Sequence, residues 1–148
     1  MKRNSRVSSL GSLSIAVGLA SLAIGCGSDT PTTPTNTQPT VVFSTQIQQQ
    51  ILTPACTACH TDEGRTPASG LNLRSGQSYS NLVGVASVGK PGAVRVIAGN
   101  PSGSYLVQKL EGAADIVGLR MPRTGPPFLT TEQVALIRQW IQNGAPNN

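Results

Sequence analysis

The stretch Cys56-Thr57-Ala58-Cys59-His60 places two thiols three positions apart and an imidazole directly after the second thiol. On a tight helical turn, side chains three positions apart lie on the same side of the backbone, so both thiols can reach one ligand. The spacing is that of c-type haem attachment, in which the thiols bond to two vinyl groups and the histidine becomes the proximal iron ligand. One such motif predicts one covalent haem c, held through Cys56 and Cys59 with His60 on the iron.

A Cys-x-x-Cys pair has two other uses, as a redox-active dithiol or as half of a zinc site. The chain contains no second Cys-x-x-Cys pair, and His60 is its single histidine. No alternation of strand and helix patterns indicates a thioredoxin-like fold. Haem attachment is therefore the favoured interpretation, and a thiol-disulfide oxidoreductase is the alternative that labelling of free thiols would detect.

The sixth ligand of the iron is predicted from composition. A chain with one histidine cannot supply a second imidazole, and Met121 is the only methionine besides the initiator. Pro122 biases Met121 toward an extended backbone, which suits a side chain that leaves a loop rather than one that fills a helix stripe. We predict Met121 as the distal ligand, and the alternative is that it fills a gap in the core.

The N-terminal residues 1–25 have the pattern of an export signal. Three basic residues, Lys2, Arg3 and Arg6, precede an apolar stretch from about Val7 to Ile24. Five serines dilute the apolarity that a stable membrane span would need, so we predict cleavage, and an uncleaved anchor is the alternative.

Cys26 follows Ala23-Ile24-Gly25 in an arrangement that resembles a bacterial lipobox, which predicts Cys26 as the lipidated first residue of the mature protein. Ordinary cleavage and secretion is the alternative, because Ala23 and Gly25 also satisfy a small-x-small rule. Residues 26–42 are rich in Thr and Pro and hold few apolar side chains, which predicts a semi-extended tether. The expected location is exported, periplasmic or at the cell surface, and anchored to a membrane through the lipid.

The remaining residues, 43–148, suffice for one small domain. The net charge of +5 falls to +2 without the three basic residues of the signal, and no basic run with interleaved aromatics is present. These features give no indication of nucleic-acid binding.

Apolar spacing predicts an all-α domain. Phe43, Ile47 and Ile51 mark a helix that we expect to stop before Pro54. A C-terminal helix is predicted from a capping box of Thr130 with Gln133, a staple of Leu129 with Val134, and Gly144 beyond its end. Between them we expect a helix over Pro101–Leu110 capped by Asn100, a shorter one after Ser75 that buries Tyr79 and Leu82, and a strand fragment over Val94–Ala98. The apolar face of the C-terminal helix comprises Val134, Ile137, Trp140 and Ile141.

The chain from about Phe43 to Pro146 resembles a class I cytochrome c domain, closest to the Planctomycete-type c-type domains of exported bacterial proteins. Besides the Cys-x-x-Cys-His motif, the resemblance rests on Gly70-Leu71-Asn72-Leu73, Gly99-Asn100-Pro101, Ser104-Tyr105-Leu106-Val107, Arg120-Met121-Pro122, Gly125-Pro126-Pro127 and Ile137-Arg138-Gln139-Trp140-Ile141-Gln142-Asn143-Gly144-Ala145. It implies short helices packed around one haem, crossing N- and C-terminal helices, thioether bonds at Cys56 and Cys59, and His60 and Met121 on the iron. The long segment between Thr61 and Leu119 departs from the compact mitochondrial-type pattern.

Iron with both axial positions filled is suited to electron transfer with redox protein partners rather than to catalysis. Asp62 and Glu63 are adjacent acids, but sequence neighbours on a turn are usually solvated, so we expect no enzyme activity. The alternative function is a haem-based gas or redox sensor in which Met121 dissociates. Six basic residues could pair with haem propionates, although for each a solvated surface position is the simpler expectation: Arg74, Lys90, Arg95, Lys109, Arg120 and Arg123.

Overall fold

The computed structural model describes residues 39–148, and helices account for 37% of them. The predicted signal segment, Cys26 and the tether up to residue 38 lie outside the described residues. Between residues 39 and 148 no helix is long and apolar enough to cross a membrane. No strand forms in this range either, so the all-α prediction is confirmed at the level of fold class.

The N-terminal helix, Phe43–Leu52, is wound as a π-helix, and α1, Thr53–Cys56, continues directly from it. The backbone N–H of Thr53 donates to the oxygen of Gln48, five residues back, which marks the end of the wide turns. The N-terminal helix thus ends before Pro54, as predicted, although a second helix, α1, follows it without a gap. Pro54 occupies the first turn of α1, where a missing N–H removes no hydrogen bond within that helix.

The C-terminal helix, α4, spans Thr131–Gln142. Its capping box is present in full: the Thr130 hydroxyl accepts from the N–H of Gln133, and the Gln133 side chain accepts from the N–H of Thr130. At the other end, Gly144 has a φ of +91° and donates to Ile141, while Ala145 donates to Trp140. This pair of bonds is a Schellman motif, so both predicted ends of the helix are confirmed.

Between these ends lie a 3-10 turn at Ala68–Gly70 and two short α-helices, α2 at Ser78–Leu82 and α3 at Tyr105–Glu111. The predicted start of α3 at Pro101 is wrong, because Asn100 caps a separate turn: its side-chain oxygen accepts from the N–H of Gly103 at 2.9 Å. The helix then begins after Ser104. The predicted strand fragment over Val94–Ala98 is reduced to isolated bridges, such as that of Val96 with Val83.

The N- and C-terminal helices pack against each other through aromatic side chains. The ring centroids of Phe43 and Trp140 are 4.9 Å apart, and Tyr79 meets Phe43 edge-on at 5.5 Å. Asn148 fastens the start of the N-terminal helix, since it accepts from the backbone N–H groups of Phe43 and Ser44. The core around these contacts includes Val41, Ile47, Ile51, Leu52, Leu73, Leu82, Val96, Val107, Leu110, Val134, Ile137, Ile141 and Ala145.

Candidate functional site

The Cys-x-x-Cys-His motif forms a single helical turn at the end of α1. The N–H of Cys59 and the N–H of His60 both donate to the backbone oxygen of Cys56, at 3.2 and 3.0 Å. The hydroxyl of Thr57 donates to the oxygen of Thr53 at 2.6 Å and braces the turn from the side. The structure therefore brings Cys56, Cys59 and His60 together on one turn.

The two thiols have different surroundings. Cys56 is partly buried against the hydrophobic core, whereas Cys59 is exposed. Burial raises the pKa of the Cys56 thiol to about 11, so this group is protonated at neutral pH. A nucleophilic dithiol instead requires a lowered thiol pKa, which Cys56 does not have.

The ring of His60 is oriented by a hydrogen bond. Its Nδ1 lies 3.0 Å from the backbone oxygen of Ala68. Because a carbonyl oxygen only accepts, this bond requires the proton on Nδ1, and in the neutral ring it leaves Nε2 as a free lone pair. Burial lowers the pKa of His60, against the opposing effect of backbone hydrogen bonds, which favours the neutral ring. The half-buried imidazole therefore favours its neutral form, in which Nε2 is the nitrogen that could bind a metal.

The main chain around His60 is held on both sides. The oxygen of His60 accepts from the N–H of Leu73 at 2.8 Å, and the N–H of Ala68 donates to the oxygen of Cys59 at 3.2 Å. The segment that follows His60 therefore folds back along the motif, and this places the Ala68 carbonyl next to the imidazole.

Met121 lies on a different segment, the loop from Gly112 to Pro122 that follows α3. Its side chain is partly buried against the same core that Cys56 contacts, and its N–H donates to the oxygen of Lys109 at 2.9 Å. Within residues 39–148, no hydrogen bond joins this loop to the Cys56–His60 turn. Each segment packs against the core, and the distal role of Met121 stays a prediction.

Three large apolar side chains near these segments are exposed: Val88 at 71%, Val117 at 56% and Leu119 at 61%. Val117 and Leu119 belong to the Met121 loop, and Val88 lies beside Gly70, close to the Ala68 turn. An ion pair at 2.6 Å between Lys90 and Asp115 links the Val88 segment to the loop. Exposed apolar side chains therefore lie on the Met121 loop and beside Gly70.

The prediction of a solvated surface position for Arg95 is wrong, since the residue is only 7% exposed. Its guanidinium donates to three backbone oxygens, two of them in the turn after Ala68. Its neighbours Val94 and Val96 gave no signal of this, because alternation with apolar residues predicts an outward-facing side chain.

The acids beside the motif form surface ion pairs with Arg74, at 3.0 Å for Asp62 and 3.7 Å for Glu63. The Arg74 side chain lowers the pKa of Asp62, which keeps that group a carboxylate. The open cavity next to them, of about 400 Å³, is lined by Thr57 and Ala58 but by neither cysteine nor His60.

Within the described range, no three His, Cys, Asp or Glu side chains come together as a metal site of their own. Comparisons with protein-family models, with curated proteins and with solved structures find no match.

Proposed function

We propose that this chain is an exported, membrane-tethered electron carrier of the class I cytochrome c type, with one haem c attached at Cys56 and Cys59. In this proposal His60 is the proximal ligand and Met121 the distal ligand. The observation that carries it is the hydrogen bond from Nδ1 of His60 to Ala68, which leaves Nε2 available on the same turn as two thiols.

The donor set suits the cofactor. A neutral imidazole whose other nitrogen donates to a carbonyl is the usual form of a metal-bound histidine. A partly buried thiol beside an exposed one provides two attachment points at different depths. The raised pKa of Cys56 argues against use of the pair as an active dithiol.

Haem supplies a one-electron couple when bound, and methionine ligation biases its potential upward. His60 and Met121 would hold the iron, and the core side chains that Cys56 and Met121 contact would give the haem apolar surroundings. With both axial positions filled, the function is outer-sphere electron transfer between redox protein partners. The export signal over 1–25 and the lipid on Cys26 would hold the domain at a membrane, at the end of the tether.

The test is whether haem remains on the polypeptide after denaturation. The wild-type protein, made in a host competent for haem attachment, is expected to keep haem-peroxidase stain on a denaturing gel. The double variant Cys56→Ala with Cys59→Ala is expected to lose it, and Cys26→Ser, which removes the remaining cysteine, is expected to keep it. Wild-type protein that runs without stain contradicts the proposal.

A further inference from the structure

Arg95 carries a positive charge in the interior of the described domain. The residue is 7% exposed and forms no ion pair with any acidic side chain among residues 39–148. Its Nη1 donates to the oxygen of Asn81 at 2.8 Å, and its Nη2 donates to the oxygens of Ser69 and Gly70 at 3.3 and 3.2 Å. A buried charge is costly unless hydrogen bonds compensate it, and here only backbone carbonyls do so.

The two carbonyls held by Nη2 belong to a strained turn. Ser69 has a φ of +55° and Gly70 a φ of +61°, so two consecutive residues lie in the left-handed region, and one of them has a side chain. Such a conformation persists only where the surrounding structure holds it. The planar guanidinium spans both carbonyls of this turn and the end of α2 at once, which the single ammonium of lysine does not match.

The same turn orients the predicted proximal ligand. Ala68, whose oxygen accepts from Nδ1 of His60, directly precedes Ser69. The N–H of Leu71 closes the turn onto the Ala68 oxygen at 3.2 Å. A shift of the Ser69 and Gly70 carbonyls would therefore move the Ala68 oxygen, which accepts from Nδ1 of His60. The guanidinium is also near the ring, because the two carbonyls that its Nη2 binds belong to the residues directly after Ala68, whose oxygen accepts from the imidazole.

We propose that Arg95 is a positioning residue: its guanidinium holds the Ala68–Gly70 turn and thereby the orientation of His60, and its charge favours ferrous over ferric iron. The second half rests on the proposed function. Ferrous iron is one unit less positive than ferric iron, so a fixed nearby cation in a poorly solvated site disfavours oxidation.

The positioning half is tested by hydrogen exchange on the purified full-length protein, with Arg95→Lys and Arg95→Gln as variants. Neither replacement can span the three carbonyls, so the Leu71 and Leu73 amides are expected to exchange about tenfold faster in both. The Ile141 amide in α4 reports global stability and is expected to change less than about twofold. Arg138→Gln is the matched control, since Arg138 forms a partly exposed ion pair with Glu111. Exchange at Leu71 and Leu73 that matches wild type in both variants overturns the assignment.

If the variants do not fold, hydrogen exchange of the arginine side chains in the wild-type protein tests the positioning role instead. The guanidinium protons of Arg95 are expected to be protected from exchange, whereas those of Arg138 exchange freely. Equal exchange of the two guanidinium groups overturns the assignment.

The electrostatic half is tested by redox titration of the haem-loaded protein. Arg95→Gln is expected to shift the equilibrium about tenfold toward the ferric form, which is about 59 mV for a one-electron couple. Arg95→Lys keeps a charge and is expected to shift it less than about threefold. An Arg95→Gln protein that titrates like Arg138→Gln overturns this half. Absence of haem from wild-type protein would instead contradict the proposed function, and the exchange comparison would still decide the positioning role.

Discussion

Lys109 holds the Met121 loop from two directions: its backbone oxygen accepts from the N–H of Met121 at 2.9 Å, and its ammonium donates back to the loop. The acceptors of the ammonium are the backbone oxygens of Val117, at 2.9 Å, and Leu119. Tyr105, which begins α3, accepts from the N–H of Val117 through its hydroxyl at 2.9 Å. The loop that carries the predicted distal ligand is thus fixed to one helix by side chains that take up its main-chain groups.

Replacing Lys109 by Met is therefore expected to loosen this loop, because Met keeps the apolar stem and loses both donors. Hydrogen bonds of this kind contribute about 1 kcal/mol in total at a solvated site. Their loss is expected to raise the equilibrium constant for local opening of the loop roughly fivefold. Hydrogen exchange of the Met121 amide measures it, with Arg138→Met as the control for loss of a cation. A Met121 amide that exchanges equally in Lys109→Met and in wild type contradicts the clamp.

How far the sequence predicted the fold depends on whether a signal was local. Both ends of α4 were predicted because a capping box and a Schellman glycine act within a few residues. The π winding of Phe43–Leu52 was not, since apolar residues four apart do not separate bonds to the fourth residue from bonds to the fifth. Asn100 was assigned to the wrong element because an asparagine caps an isolated turn as readily as a helix.

The same distinction applies to the candidate site. The motif itself predicted that two thiols and an imidazole share a turn. The orientation of that imidazole depends on Ala68, and the orientation of the Ala68 turn depends on Arg95. These contacts are made by tertiary packing and have no sequence signature in a single chain.

The capping box of α4 provides a test of stability. Thr130→Ala removes the hydroxyl that accepts from Gln133 and is expected to lower the free energy of unfolding by about 1 kcal/mol. Thr131→Ala, one residue into the helix and exposed, is the control and is expected to change it by less than about 0.5 kcal/mol. Urea denaturation followed by circular dichroism measures both, and equal midpoints for the two variants would show that the cap contributes nothing.

The different burial of the two thiols predicts an order of alkylation in protein made without haem attachment. Cys59 is exposed and is expected to react with iodoacetamide first. Only the thiolate reacts, and a pKa raised to about 11 leaves Cys56 almost entirely as thiol at pH 8. Its rate is expected to rise about tenfold per pH unit until the pH approaches that value. Peptide mass mapping over a pH series measures this, and Cys56 reacting as fast as Cys59 at pH 8 would contradict it.

The predicted lipid on Cys26 is tested by whether a substitution of this residue shifts the protein from the membrane fraction to the soluble fraction. Cys26→Ser is expected to release the domain into the soluble fraction with an unchanged visible spectrum, because the tether separates anchor from fold. Cell fractionation and the mass of the mature N-terminus measure this. Wild-type protein that is already soluble, with Cys26 as its first residue and no acyl mass, would remove the anchor from the proposal.

The distal role of Met121 is the prediction that tests mechanism most directly. A thioether is a soft, neutral ligand that favours ferrous iron, whereas an imidazole is harder and favours ferric iron. Met121→His is therefore expected to keep both axial positions filled at a lower potential. Met121→Ala is expected to open one position, so that the reduced protein binds carbon monoxide, which wild-type protein resists if it is a carrier. Wild-type protein that takes up carbon monoxide readily would favour the gas-sensor alternative instead.

Both Met121 variants are expected to keep covalent haem, because Cys56, Cys59 and His60 are unchanged, and this retention is their internal control. The variant Lys109→Met distinguishes the effect of the Met121 side chain from the effect of the loop that carries it. Met121 is intact in that variant, so the reduction potential of its haem is expected to stay near that of wild type when carbon monoxide is absent. Carbon monoxide is expected to bind faster than in wild type, because the loop opens more often. If neither Met121 substitution changes potential or ligand binding, Met121 is not on the iron, and electron transfer through a fully ligated haem loses its mechanistic support.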